Sequence, residues 1–206
     1  MLPTLLEAPL AYMFSLLLII SSITAFYNRS LFYRWLMYPY AIYHGQKWYT
    51  LFTSVLVHLN WPHFLLNTLF VIVFMGEVEY MLVDDFGHVY GRLLLVAMVL
   101  GISLLAGILA AYPHRANPAY TAGGASALNF GLVMVYYAYL PFDDILNQNS
   151  IWAGYTAWHI ALFLFAGLSL MKWLKVGQAA TIHWYGALAG LALTMMLNVA
   201  DWYWLA

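Results

Sequence analysis

The chain has 206 residues, of which 65% are hydrophobic and only 7% are charged. Soluble domains carry roughly 25% charged residues, so this composition excludes an ordinary soluble protein and indicates an integral membrane protein. The net charge of −1 gives no reason to expect nucleic acid as a partner, and the absence of cysteine excludes disulfides, a thiol nucleophile and thiolate metal sites.

Six apolar segments are long enough, or nearly so, to cross a bilayer. They cover residues 11–27, 63–83, 93–111, 125–140, 151–171 and 179–204. Only Glu7 is charged before the first of them, so we expect a retained membrane helix there rather than a cleaved signal peptide. No internal repeat or linker interrupts the chain. We therefore predict the all-α class, with residues 1–206 forming a single polytopic membrane domain of six transmembrane helices.

The connection at residues 28–59 is long and rich in aromatic residues, with Arg29, Arg34 and Lys47 among them. Aromatic rings that are apolar at one end and polar at the other suit the headgroup layer. We expect this long first loop to lie in the membrane interface, in contact with lipid.

Polar residues recur near the start of every second segment. Because the chain crosses the membrane in alternating directions, segments two, four and six enter from the same side. His63 and Asn67 lie early in segment two, Ser126 early in segment four and His183 early in segment six. At 1.5 Å per residue, a position four to seven residues into such a segment lies about 6–10 Å below the entry surface. The sequence predicts a shallow polar cluster open to one face of the membrane.

Small residues surround the serine and follow the last histidine. They are Gly123, Gly124 and Ala127 around Ser126, and Gly186 and Gly190 after His183. Two small-residue faces let helix backbones approach closely, which would bring an imidazole base within reach of a hydroxyl that needs one. The alternative is a packing motif in which the serine bonds back to its own helix.

His63 and Asn67 are four residues apart, so on a helix they share a face and can direct hydrogen bonds at one point. Such converging donors are what a tetrahedral oxyanion requires. Two alternatives stay open. His58, His63 and His183 could ligate zinc, although no carboxylate or thiolate joins them, or the polar groups could simply cross-link helices. We expect no metal site and no cofactor.

Several motifs occur together along the chain. In order, they are Trp-Tyr-Thr-Leu-Phe-Thr at 48–53 followed by His58, His63-x-x-x-Asn67, Gly-Glu-Val-Glu at 76–79, Gly-Ala-Ser-Ala at 124–127, and His183-x-x-Gly186-x-x-x-Gly190. This series resembles the rhomboid family of intramembrane serine proteases, in its prokaryotic six-helix type. The resemblance covers all six segments, and it implies an endopeptidase that cleaves transmembrane-helix substrates near the membrane surface with a Ser–His dyad.

The resemblance also implies roles for individual residues. Ser126 would be the nucleophile and His183 the general base, while His63, Asn67 and the Ser126 backbone N–H would form the oxyanion hole. Phe130 falls where the family places an aromatic ring against the catalytic histidine. The remaining positions implied to support the site are His58, Gly124, Ala127, Gly186 and Gly190.

Ala127 departs from the family pattern, because it stands where the Gly-x-Ser-Gly motif has its second glycine. A methyl group there would crowd the histidine helix or tilt the oxyanion N–H unless the backbone adjusts. An alternative function is therefore a rhomboid-like pseudoprotease that binds membrane clients without cleaving them. Such proteins typically lose the serine or the histidine, and both are present here. A proton-relaying transporter would need polar groups through the whole membrane thickness, which this sequence lacks.

Two further expectations concern charged residues. Glu77 and Glu79 end segment two, either bonding to the following loop or forming a solvated helix end. The cations on the serine-bearing face are Arg29, Arg34, Lys47, Arg115, Lys172 and Lys175. The positive-inside rule would place this face in the cytoplasm, whereas the resemblance implies the outer side of a bacterial cytoplasmic membrane, and we follow the resemblance. Expected partners are transmembrane protein substrates and lipids; the sequence indicates no oligomeric state.

Overall fold

A computed structural model describes residues 2–139 and 156–205, which form helices joined by short connections. The helices are α1 (Pro9–Tyr27), α2 (Arg29–Trp35), α3 (Pro39–Tyr43), α4 (Thr50–Thr53), α5 (Trp61–Phe70), α6 (Gly76–Ala111), α7 (Ser126–Tyr139), α8 (Ala157–Trp173) and α9 (Gly177–Leu205). A π-helical turn at Val71–Met75 joins α5 to α6, and 3-10 turns follow α4 and α6.

Among the described residues, three helical stretches are long and apolar enough to cross a membrane, namely Pro9–Tyr27, Trp61–His114 and Ala179–Asn198, and the shorter helix α8 is also apolar. The middle stretch has 54 residues, which is about 80 Å of helix, far more than a hydrocarbon core of about 30 Å. Gly87 interrupts it with φ of 76° and ψ of 169°, a conformation that favours glycine. This stretch therefore makes two passes, and the chain is a polytopic all-α membrane protein, as predicted.

The predicted segments agree closely with the helices. The segments at 11–27, 63–83 and 179–204 correspond to α1, to α5 with the start of α6, and to α9. Residue 140 of segment four and residues 151–155 of segment five lie outside the described residues, so the count of six stays a prediction. The aromatic connection at 28–59 contains the short helices α2, α3 and α4, and its Tyr33 and Trp48 side chains are exposed, as suits a segment in the interface.

Glu79 links α1 to both halves of α6. Its fully buried carboxylate accepts hydrogen bonds from the Leu10 and Ala11 backbone N–H groups at 3.2 and 2.8 Å. It also forms an ion pair with the Arg92 Nε at 3.1 Å, beyond the turn at Gly87. The first N–H groups of a helix have no intrahelical partner and favour negative charge. Glu79 is therefore a structural anchor and not a solvated helix end.

The small-residue faces of α7 and α9 are in direct contact. A side chain at Gly186 would collide with the Ala127 carbonyl oxygen, and one at Gly190 would collide with the Gly131 carbonyl oxygen. A side chain at Gly131 would collide with Ile102 of α6 and would lie 3.0 Å from the Gly186 carbonyl oxygen of α9. Helix α7 thus lies in the core between α6 and α9, at backbone distances that only glycine permits.

Candidate active site

A cavity of about 280 Å³ lies where the N-terminal parts of α5, α7 and α9 meet. Its polar lining residues are His63, Asn67, Ser126, Asn129 and His183, and the others are apolar, Phe130 among them. The structure therefore brings together all four polar side chains that the sequence places at one depth. Asn129 is an addition that the sequence analysis missed.

Ser126 is the first residue of α7, and a tight loop conformation precedes it. Gly124 has a φ of 126°, which residues with a side chain rarely adopt. A Cβ atom at this position would collide with the His63 ring, so only glycine lets this imidazole approach the loop. Gly124 thus fixes the relation between the serine loop and one of the predicted oxyanion donors.

The interfacial connection holds the residues that lead to Ser126. Met37 and Ala122 exchange two backbone hydrogen bonds of 2.8 and 3.1 Å. The Gly124 N–H donates to the Ser54 carbonyl at 2.8 Å. These bonds tie the chain just before α7 to the segment at 28–59, so the aromatic loop supports the chain that leads to the serine.

His58 supplies a third tie from the same segment. The ring is fully buried, and its Nε2 accepts a hydrogen bond from the Ala125 N–H at 3.2 Å. The neutral ring then carries its proton on Nδ1, which donates to the Ser22 hydroxyl at 2.9 Å. That hydroxyl donates to the Leu56 carbonyl, also at 2.9 Å. Burial, with a smaller contribution from His63, lowers the pKa of His58 to about 3.

This hydrogen-bonding pattern decides between two roles for His58. Both ring nitrogens are occupied by protein groups, so His58 has no lone pair free to ligate a metal. Within residues 2–139 and 156–205, no group of three suitable side chains could hold a metal ion. His58 positions Ala125, the residue before the serine, and does not line the cavity itself.

His183 lies on α9 with its ring stacked on Phe130 of α7. The two ring centroids are 4.4 Å apart and the planes are inclined by 24°. No hydrogen bond joins the Ser126 hydroxyl to His183 in the described parts of the chain, although both residues line the cavity. Hydrogen bonds between catalytic groups are often long in ligand-free enzymes and shorten when substrate binds. Phe130 thus restricts the plane in which the imidazole can turn.

Asn67 is held by its neighbours on two helices. Its Nδ2 donates to the His63 carbonyl at 2.7 Å, and its Oδ1 accepts from the Asn129 Nδ2 at 2.8 Å. The sequence contained one signal for Asn129, a polar residue three positions after the serine in an otherwise apolar run. The residues around Asn129 in the sequence do not indicate that Asn67 is its hydrogen-bond partner.

Ala127 borders a second, smaller cavity of about 60 Å³, which also touches Ser126, Gly107 and Ala110. The contact from α9 is made by Gly186 against the Ala127 carbonyl. Ala127, which departs from the family motif, therefore lies beside free volume, and the residue that faces it on α9 is already a glycine.

A family model described as Rhomboid domain matches residues 45–200, well over half of the chain. The chain belongs to the rhomboid family. This confirms the resemblance drawn from the motifs, and the matched range includes every residue that lines the 280 Å³ cavity. Rhomboid proteins are generally intramembrane serine proteases, and some members are inactive. No individually curated protein matches this rhomboid chain closely.

Proposed function

We propose that this rhomboid protein is an intramembrane serine endopeptidase that cleaves transmembrane-helix substrates near the membrane surface. Ser126 is the nucleophile and His183 the general base. The observation that carries the proposal is that both residues line one cavity with His63 and Asn67. Three helices that enter the membrane from one side contribute these groups, and the stack on Phe130 restricts the imidazole.

In the proposed reaction, the Ser126 Oγ attacks the scissile carbonyl carbon while its proton passes to His183. The resulting oxyanion accepts hydrogen bonds from His63, the Asn67 Nδ2 and the Ser126 backbone N–H. This last group has no partner within its own helix, because it belongs to the first turn of α7. The carbon–nitrogen bond then breaks, and the amine leaves with the proton from His183.

The acyl-enzyme that remains is an ester of Ser126. Water attacks it while His183 takes the water proton, and the acid product leaves as the serine hydroxyl regains its proton. A helical substrate shields its peptide bonds, so a substrate segment must unwind to reach the cavity. We expect helix-breaking residues in preferred substrates. We also infer a bacterial cytoplasmic membrane with the cavity towards the outer side, by analogy with bacterial rhomboids.

The test uses purified protein, a fluorophosphonate probe and a transmembrane reporter substrate. Wild type should label and cleave, while Ser126→Ala and His183→Ala should do neither. Ser15→Ala is a matched control, because Ser15 is a buried serine on α1 that bonds back to the Ala11 carbonyl at 2.8 Å. Cleavage by Ser126→Ala at the wild-type rate would exclude the proposed nucleophile.

Two observations favour a second candidate, a client-binding rhomboid without protease activity. The Ser126 hydroxyl and His183 share no hydrogen bond within the described residues, and Ala127 replaces the motif glycine. In that case the reporter would co-purify with wild type and with Ser126→Ala alike. No cleaved product and no probe labelling would accompany it.

A further inference from the structure

Asn129 forms a polar bridge between α7 and α5 at the wall of the cavity. Its side chain is 2% exposed. The Nδ2 donates one hydrogen bond to the Asn67 Oδ1 at 2.8 Å and one to the Asn67 backbone carbonyl at 3.1 Å. Both donor positions of this amide are thus directed at one residue, which is itself a predicted oxyanion donor.

These two bonds fix which way the Asn67 amide faces. A side-chain amide can adopt two orientations that exchange its oxygen and nitrogen. The Asn67 backbone carbonyl has a fixed position and can only accept a hydrogen bond. The Asn129 amide must therefore present its Nδ2, and not its Oδ1, to α5. Because this Nδ2 is a donor, the Asn67 side-chain atom that faces it must be the acceptor Oδ1. The Asn67 Nδ2 must then lie on the other side, where it meets the His63 carbonyl at 2.7 Å.

The amide nitrogen of Asn67 carries two hydrogens, and the His63 carbonyl uses one of them. The second N–H has no protein partner in the described parts of the chain, and Asn67 lines the cavity. Were the amide reversed, a carbonyl oxygen would take this place and would repel an oxyanion. Asn129 therefore selects the orientation in which Asn67 can donate.

Asn129 has an unfavourable feature that an apolar residue would avoid. Its Oδ1 is buried and, within the described residues, has no hydrogen-bond partner. Unpaired buried acceptors destabilise folded proteins and are uncommon. Residues at functional sites commonly reduce stability in return for activity. In Asn129 the Nδ2 makes the hydrogen bonds to Asn67, and the unpaired Oδ1 is the destabilising atom.

We propose that Asn129 is a positioning residue that holds the Asn67 amide with an N–H towards the cavity, so that it donates to the oxyanion. This inference rests on the proposed function, because an oxyanion forms only if Ser126 attacks a carbonyl. Asn129 touches no reacting atom and acts through Asn67.

The sharpest variant is Asn129→Asp, which keeps the shape of the side chain but cannot donate when ionised. Its carboxylate accepts from the Asn67 Nδ2 and so reverses the Asn67 amide. We expect kcat to fall about as far as in Asn67→Ala, roughly 10²-fold for the loss of one oxyanion donor, with KM little changed. Because a protonated carboxyl can donate again, the activity of Asn129→Asp relative to wild type should rise as the pH falls.

Two further variants separate positioning from a merely structural role. Asn129→Leu removes the unpaired oxygen and also both hydrogen bonds to Asn67, so kcat should fall even where the melting curve shows that the protein is still folded. Combining it with Asn67→Ala should slow the enzyme no further than Asn67→Ala alone. Asn198→Asp is the matched control for a new carboxylate, because Asn198 lies on α9 outside the cavity and its Nδ2 contacts the Ala138 carbonyl.

A spectroscopic measurement tests the orientation without relying on turnover. In protein with ¹⁵N-labelled asparagine, the Asn67 side-chain resonance is identified by its loss in Asn67→Ala. It should move in Asn129→Asp and stay in place in Asn198→Asp. An unmoved resonance in Asn129→Asp overturns the inference, as does wild-type kcat in that variant. A moved resonance in a protein that neither labels nor cleaves supports the positioning of Asn67 and refutes the protease function.

Discussion

The His58 ring accepts a hydrogen bond from the backbone N–H of Ala125, 67 positions further along the chain, at 3.2 Å. Through this bond a buried histidine of the interfacial segment fixes the residue that precedes Ser126. The bond requires the neutral ring with its proton on Nδ1, since a protonated Nε2 would face the Ala125 N–H. The support of the candidate nucleophile is thus linked to pH.

We predict that His58 makes the fold less stable in acid. Its pKa in the folded protein is about 3, against an ordinary value of 6.5. Between these values the unfolded chain binds a proton that the folded chain does not, so stability is complete above about pH 6.5 and falls as the pH drops towards 3. At two pH units below 6.5 the loss is about 2–3 kcal/mol.

The measurement compares melting temperatures of wild type and His58→Asn from pH 7.5 to pH 4.5. The variant should be less stable at neutral pH but should lose less stability on acidification, because asparagine does not titrate. Parallel pH profiles for the two proteins would show that another group causes the acid sensitivity.

A second prediction concerns Gly124→Ala. The φ of 126° strains any residue with a side chain, and the added Cβ atom collides with the His63 ring. We expect a loss of about 1–3 kcal/mol in stability, together with much slower probe labelling because His63 is displaced. Gly167→Ala on α8 is the control, since no atom lies within 4 Å of the added Cβ there. Equal melting temperatures and labelling rates for the two variants would contradict the geometry at Gly124.

Phe130 provides a third prediction, because its ring stacks on the candidate base at a centroid distance of 4.4 Å. Phe130→Leu keeps an apolar side chain but loses the flat surface that restricts His183. Turnover should fall by about tenfold, the equivalent of 1.4 kcal/mol, while Phe130→Tyr should stay close to wild type. Steady-state cleavage of the reporter measures both, and an unaffected Phe130→Leu would show that the stack does not orient the base.

Hydropathy and motif order predicted much of this molecule, for identifiable reasons. Helices α1 and α9 were found because apolar runs of spanning length report a membrane environment directly. The convergence of Ser126 and His183 on one cavity followed from alternate threading, which sets depth without knowledge of packing.

Other features could not be predicted from the sequence, because they depend on contacts between residues that are far apart in the chain. The Asn129 bridge to Asn67 spans 62 positions, and the His58 contact with Ser22 spans 36. The buried role of Glu79 likewise requires α1 to lie against α6. In each case the local pattern shows a polar residue in apolar surroundings, and only the fold supplies its partner.

The last prediction concerns Ala127, the residue that departs from the family motif. If its methyl group strained the dyad, Ala127→Gly would raise turnover several-fold. The structure argues against such a gain, because Ala127 borders a cavity of about 60 Å³ and the facing residue on α9 is Gly186, which packs on the Ala127 carbonyl.

We therefore expect Ala127→Gly to change kcat by less than about twofold and to lower stability by at most about 0.5–1 kcal/mol, the effect of glycine in the middle of a helix, because Ala127 is only the second residue of α7. Gly186→Ala is the informative partner variant, since its added methyl collides with that carbonyl and must push α9 away from α7. It should lower both the melting temperature and the labelling of Ser126. A marked gain of activity in Ala127→Gly would instead mean that the methyl group, and not the helix contact, limits the approach of His183 to the serine.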